Sequence, residues 1–244
     1  MIPKVIHYCW LSDDPHPAKI ARCIASWNKH LPNYEIRLWD FKRFPRGKSR
    51  WVDEAFDYGK YAFAADYIRA YALYHEGGIY LDSDVEVLKS FDDFLELPYF
   101  FGRESDSGAV EAAVMGSEKG NPIFKELLDY YDTHSFISPD GTPDMLPLPS
   151  RMNNILNRRA EVVTIDSIEK FSAAPERISI FTSDYFSPIH LVNMRMERTP
   201  RTVTIHHFAG SWSSPWLKMK KTLQKLLGPT ITSAIQSVKH TFNK

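Results

Sequence analysis

Residues 60–88, KYAFAADYIRAYALYHEGGIYLDSDVEVL, decide how this chain is read. From Lys60 to Glu76 no breaker interrupts a stretch that is apolar almost all round, which predicts a buried helix. Gly77-Gly78 then offers the positive φ that a helix C-terminus needs. The strand-like GIYLDSDVEV follows, carrying Asp82 and Asp84 two residues apart. In an extended chain these two share a face, and two carboxylates converging there repel unless a cation or a shared proton intervenes. A hard divalent cation, Mn²⁺ or Mg²⁺, meets that need, because it takes oxygen ligands and leaves positions open for phosphate. A turn with solvated acids after Leu81 is the alternative that Asp-x-Asp alone leaves open.

Asp66 and Arg69 lie at i, i+3 on one face of the apolar helix. A carboxylate and a guanidinium among Ala, Phe, Tyr, Ile and Leu are either a structural pair or two groups kept for a polar ligand. Because this helix leads straight into Asp82 and Asp84, the four charges are expected to converge at the carboxyl end of one strand. That is where open α/β sheets bind ligands.

Outward from this block, Lys4 to Trp10 reads as a short apolar strand, Pro17 to His30 as a helix and Tyr34 to Trp39 as an alternating strand. Strand, helix, strand opens an α/β fold. Downstream, strands are expected at 98–102, 161–165, 177–181 and 202–208, and helices from Pro122 to about Tyr131 and from Ser150 to Arg159. Thr133 to Pro149, with four prolines, reads as a long loop. After Gly228-Pro229 is taken as a break, two short amphipathic helices are expected in the tail, the first, 216–227, with a basic face.

The chain has 244 residues, 43% of them hydrophobic and 14% aromatic, as in an ordinary globular protein with one large core. No run of apolar residues is long enough to span a bilayer, and the N-terminus has no signal-peptide pattern. Cys9 and Cys23 match no metal spacing and are expected as reduced thiols, so the expected compartment is the cytoplasm. The formal net charge of zero hides an asymmetry: after Glu197 come eight Lys or Arg and no acid, which leaves −8 on residues 1–197. A basic tail on an acidic body points to an anionic surface, or else to a solvated helix face. The basic residues lack interleaved aromatics, so nucleic acid is not expected as partner. The stretch 216–227 has two readings: it lies on a membrane, or it packs onto the body or a second subunit.

Far along the chain, HHFAGSWSSPW at 206–216 offers a further set of polar groups. Adjacent histidines in an extended segment point to opposite faces, so at most one of His206 and His207 can join a site on one side.

Taken together, IPKVIHYCW at 2–10, YAFAADYIRAYALYHEGGIYLDSDVEVL at 61–88 and HHFAGSW at 206–212 resemble the glycosyltransferases of family 32. This is a group of mannosyltransferases and bacterial capsule or lipopolysaccharide sugar transferases with a DXD sugar-binding region. More distantly the segments resemble the glucosylating domains of large clostridial toxins. The resemblance implies a GT-A-type α/β nucleotide-binding sandwich around a mostly parallel sheet over 1–214, with 215–244 as a helical appendage. It implies a metal-dependent transfer, with retention of configuration, of a hexose from a nucleotide sugar, UDP-hexose favoured over GDP-mannose, to a glycan or lipid-linked acceptor.

By position, Trp10 resembles the aromatic that stacks on the base, and Asp66 and Arg69 the pair that holds donor-sugar hydroxyls. Asp82 resembles the carboxylate at ribose, sugar or metal, and Asp84 the direct metal ligand. Ser211 and Trp212 resemble a pair closing over the β-phosphate, and His207 a metal-binding histidine. No nucleophilic carboxylate is implied. The competing classes are a metal-dependent phosphoryl-transfer hydrolase using Asp82, Asp84, Glu86 and His207, and a non-catalytic nucleotide-sugar or glycan binder. The expected place of work is the cytoplasm, peripheral on the inner face of the plasma membrane.

Overall fold

The computed structural model describes residues 1–190 and 192–209. The strands are β1 (Val5–Cys9), β2 (Glu35–Trp39), β3 (Gly78–Leu81), β4 (Val85–Val87), β5 (Tyr99–Arg103), β6 (Val110–Ser117), β7 (Glu161–Ile165), β8 (Arg177–Phe181) and β9 (Thr204–His206). The helices are α1 (Ala18–His30), α2 (Arg50–Asp57), α3 (Tyr61–Glu76), α4 (Pro122–Thr133) and α5 (Leu148–Arg159). Seven strands form one sheet in the order β2-β1-β3-β6-β5-β8-β7, and β4 and β9 form a second, two-stranded one. Strand β6 runs antiparallel to both its neighbours, β3 and β5, while every other pairing in the large sheet is parallel. The expected α/β class with a mostly parallel sheet holds.

The sheet is covered on both faces, as parallel sheets must be. Cys9, Tyr80, Phe101, Met115 and Ile180 pack on the side of α2, α3, α4 and α5. On the other face Ile6, Ile79, Leu81, Phe100 and Phe181 meet Trp27 and Leu31 of α1 and the aromatic group Phe91, Phe94 and Phe186. Helix α3 is buried along most of its length because it is wedged between the sheet and its helical neighbours, which is why its sequence shows so weak an amphipathic stripe.

The α3–β3 connection depends on its glycine pair. Gly77 has φ 67° and Gly78 φ 104°, and a Cβ on Gly78 would lie 2.7 Å from the Val5 carbonyl oxygen and 3.0 Å from His7 Nε2. His7 is fully buried and spans this turn: its Nε2 lies 2.8 Å from the Gly77 carbonyl oxygen, and Trp39 Nε1–H donates to its Nδ1 at 3.0 Å. Accepting at Nδ1 and donating at Nε2 makes it neutral, and burial pushes its pKa down to about 4. This histidine is a structural strut that sets where β3 starts and therefore where its acids end up.

The opening stretch differs from the expectation in one respect. Strand β3 stops at Leu81, and Asp82 to Asp84 form a turn closed by Val85 N–H donating to the Asp82 carbonyl at 3.0 Å. The two aspartates are therefore placed by a turn between two strands of different sheets and not by the pleat of one strand. Ser211, Trp212 and the appendage 215–244 lie outside the described residues.

Candidate active site

Strands β1, β3, β5, β7 and β8 all run the same way, so their carboxyl ends share one edge of the sheet, and the start of the reversed β6 joins them there. Charge collects at this edge. Arg69, with its side chain 5% exposed, points from α3 to the end of β3 and lies over the Tyr80 ring at 4.5 Å. Its Nη2 is 3.3 Å from Asp66 Oδ1 and 3.1 Å from Asp82 Oδ1, and its Nη1–H donates to the Ala112 carbonyl of β6 at 2.7 Å. One guanidinium thus ties α3, the turn after β3 and β6 together. Its Nε is buried without a hydrogen-bond partner.

The carboxylates beside it are not at rest. Burial raises Asp66 to about 6 despite the opposing pull of Arg69, and burial likewise raises Asp82 against the pull of Arg69 and His206. A single buried arginine does not fully offset two buried acids.

Asp84 belongs to a second knot at the same edge. Its Oδ2 accepts from Ala209 N–H at 2.6 Å, and its Oδ1 is 3.5 Å from His206 Nε2. The other ring nitrogen of His206, Nδ1, is 3.3 Å from Oε2 of Glu111, a residue 2% exposed at the start of β6. Glu111 is itself fixed, since its Oε1 accepts from Ala113 N–H at 2.9 Å. Burial alone would push Asp84 up and His206 down. The His206 contact instead holds Asp84 at about 2, and Glu111 and Asp84 hold His206 well above its ordinary pKa. Protonated, His206 places positive charge between two carboxylates; to ligate a cation it would give up its Nε2 proton, the cation then taking over that charge.

Asp82, Asp84 and His206 each offer a ligand atom, and these atoms all lie within 4.8 Å of one another. Two carboxylate oxygens and an imidazole nitrogen can hold a divalent cation, and a histidine whose far nitrogen meets a buried carboxylate is the usual second support of a metal-binding imidazole. The residues present therefore fit the implied cation. The expected histidine was His207, and here the structure corrects it: His207 Nε2 is 2.8 Å from Glu86, on the other side of the strand. The antiparallel register of β4 with β9, Val85 opposite His206, brings His206 to the acids and turns its neighbour away. The expectation that Asp66, Arg69, Asp82 and Asp84 converge is met in space. Glu111 had no sequence motif around it and was not anticipated.

Trp10, just past β1, is half-buried in the wall of a cleft of about 420 Å³ lined also by Cys9, Leu11, Pro17, Tyr61 and Ala65. Ala65 precedes Asp66, so the cleft opens beside the charged edge. The Trp10 indole N–H donates to the Asp14 carbonyl at 3.0 Å, and His16 packs edge-on against its ring at 4.9 Å.

Comparison with known proteins bears on this geometry directly. Residues 16–101 match the family described as "Glycosyltransferase sugar-binding region containing DXD motif", a span that includes Asp66, Arg69, Asp82 and Asp84. Over that span the chain is similar to the DXD region of glycosyltransferases. Inositol phosphoceramide mannosyltransferase 3 of Schizosaccharomyces pombe is 34% identical over 52% of this chain and 36% of its own length. Mannosyl phosphorylinositol ceramide synthase SUR1 of Saccharomyces cerevisiae is 33% identical over 56% of this chain and 37% of its own. An uncharacterized glycosyltransferase, L373, of Acanthamoeba polyphaga mimivirus is 26% identical over 88% of this chain and 84% of its own length. The chain thus spans little more than a third of the two yeast relatives, and most of the viral one. The two yeast relatives are named for mannosyl transfer and the viral one as a glycosyltransferase, and the family match at 16–101 includes four of the charged residues at this edge.

Proposed function

We propose that this chain is a metal-dependent hexosyltransferase that moves a sugar from a nucleotide donor to a lipid-linked or glycan acceptor with retention of configuration. The observation that carries the reading is the Arg69 bridge between Asp66 and Asp82, set beside the Asp84–His206–Glu111 knot at the carboxyl edge of the sheet. Asp82, Asp84 and His206 would hold a divalent cation, which would supply positive charge for the diphosphate leaving group. Arg69 adds a fixed positive charge at the same place, already oriented by its bond to the Ala112 carbonyl, so that little reorganisation is needed as negative charge develops. Asp66, which is buried and holds its proton more tightly than a free carboxyl, is suited to hydrogen-bond sugar hydroxyls. Trp10 and Tyr61 line the cleft of about 420 Å³, and an aromatic face there suits stacking on a base. Ser211 and Trp212 are assigned to the β-phosphate by their place in the resemblance alone.

The relatives named for mannosyl transfer to inositol phosphoceramide favour mannose and a lipid acceptor. They weigh against the uridine donor that the sequence reading leans towards. Work at a lipid acceptor fits a peripheral position on the inner face of the plasma membrane; the stretch 216–227, read as membrane-facing from its sequence, lies outside the described residues. A phosphoryl hydrolase would need Glu86 as a further metal ligand, but Glu86 faces His207. The test is turnover of UDP- and GDP-hexoses with Mn²⁺ or with EDTA. Release of nucleoside diphosphate from one donor class, dependent on metal and lost in Asp84→Ala, supports the assignment. Cleavage of simple phosphodiesters without any nucleotide-sugar turnover would overturn it.

A further inference from the structure

Of the large hydrophobic side chains left exposed among the described residues, three fall within five positions: Val192 at 50%, Met194 at 40% and Met196 at 45%. They sit on a hairpin. His190 N–H donates to the Arg195 carbonyl at 2.8 Å, Met194 N–H to the His190 carbonyl at 2.7 Å and Glu197 N–H to the Pro188 carbonyl at 2.8 Å, with Ile189 bridged to Met196. Met194 takes φ 57°, an uncommon conformation for a side chain of its kind, and Asn193 Oδ1 accepts from Arg195 N–H at 2.9 Å to brace the tip. The hairpin is therefore a built projection with an apolar end.

Its base is tied to the charged edge. Asp106 accepts from Val192 N–H at 2.9 Å and is 2.9 Å from His190 Nδ1, while Ser105 Oγ–H donates to the Ser187 carbonyl at 2.8 Å. Residues 104–109 connect the end of β5 to the start of β6, the connection that leads directly to Glu111. The charges around the tip are sorted as well. At the base Asp106 faces His190, and Glu197 meets both His190 Nε2 at 3.3 Å and Arg195 Nε at 3.6 Å; Arg195, with its side chain still 72% exposed, and the exposed Arg198 follow the apolar residues along the chain.

We propose that the 188–198 hairpin is an interfacial foot: Val192, Met194 and Met196 enter the headgroup layer of an anionic membrane, and Arg195 and Arg198 meet its phosphates. Single apolar side chains on a narrow tip flanked by cations suit a fluid anionic interface, which needs no shape complement, better than a protein groove, which does. The foot would hold the charged edge facing the bilayer, where a lipid-linked acceptor presents its sugar. The proposal rests on the lipid-acceptor reading above, and its test separates the two.

The experiment is sedimentation of the full chain with vesicles of phosphatidylcholine with and without phosphatidylserine, alongside turnover of a soluble nucleotide sugar. The triple variant Val192→Ser/Met194→Asn/Met196→Ser keeps a residue tolerant of the left-handed conformation at 194, and Arg195→Glu/Arg198→Glu tests the charge. Each is expected to lower partitioning onto the serine-containing vesicles by about ten-fold while soluble-donor turnover stays at the wild-type level. Unchanged partitioning in both variants, through the tail or any other surface, would overturn the proposal. So would a change of oligomeric state in place of a change in vesicle binding, which would make the tip a protein contact. Hairpin-dependent binding without transfer to any lipid-linked acceptor would leave the foot standing and defeat the lipid-acceptor reading instead.

Discussion

Two buried arginines in this protein look alike and behave differently. Arg69 lies over Tyr80, and Arg151 of α5 lies over Tyr130 at 4.2 Å and near Trp51 at 5.5 Å; each is almost fully buried and each has an Nε without a hydrogen-bond partner. Arg151 meets one carboxylate, Asp144, at 2.5 Å, and Asp144 also accepts from Tyr130 Oη–H at 2.7 Å. Burial would raise Asp144, yet the hydroxyl and Arg151 keep it below its ordinary value. At Arg69 the balance is reversed: two acids share the guanidinium, and both are pushed up. The difference lies in the acids: one carboxylate per guanidinium is held ionised at Arg151, while at Arg69 two carboxylates compete for one cation, the kind of unbalanced cluster that suits a ligand site.

That contrast can be broken at either end. The largest effect is expected from Asp84→Ala, which removes a cation ligand at the edge and should lower metal-dependent nucleotide-sugar turnover by about 10²- to 10³-fold, read by steady-state kinetics. Removing Arg69 as Arg69→Ala should cost about 3–5 kcal/mol of stability in denaturant unfolding, because Asp66 and Asp82 are then left buried without their cation. Glu111→Gln keeps the shape but weakens the support of His206, and an apparent Mn²⁺ affinity lower by about 10- to 100-fold is expected from titration.

The pH dependence follows from Asp66. Its pKa is about 6 in the folded protein against an ordinary 3.8, so the folded chain binds the proton more tightly than the unfolded one. Stability from this group is therefore fully present below about pH 4 and is lost as pH rises to about 6. Asp66→Asn should raise the melting temperature at pH 8 relative to wild type, with the gain shrinking towards pH 4. The smallest effect belongs to Arg151→Met, which keeps much of the packing; a loss of about 1–2 kcal/mol and near-wild-type turnover are expected, and a large catalytic defect would erase the distinction between the two arginines.

Much of this was legible before any coordinates. The helix 61–76, its glycine stop and the strand behind it follow from the absence of breakers and the Gly77-Gly78 pair, and the convergence of Asp66, Arg69 and Asp82 follows from helix spacing and chain direction. Helix α2, RWVDEAFD, went unread because it is short and begins at a Ser49 cap within a polar stretch. Strand β6, VEAAVMGS, went unread because it is buried on both faces and rich in alanine, so it shows neither alternation nor a β-branched run. With β6 went Glu111, a lone acid in an apolar stretch. The choice between His206 and His207 was not available locally at all, since alternation says only that one of them faces the acids. The register of β9 on β4, set by contacts more than a hundred residues apart in sequence, decides which.

The most direct test of the central claim is the electron paramagnetic resonance of Mn²⁺ titrated into the protein with a nucleoside diphosphate, comparing wild type, Asp84→Ala, His206→Ala and His207→Ala. The account predicts one bound ion in wild type and in His207→Ala, and its loss in Asp84→Ala and His206→Ala. Binding that survives His206→Ala but fails in His207→Ala, or that ignores Asp84, would contradict it.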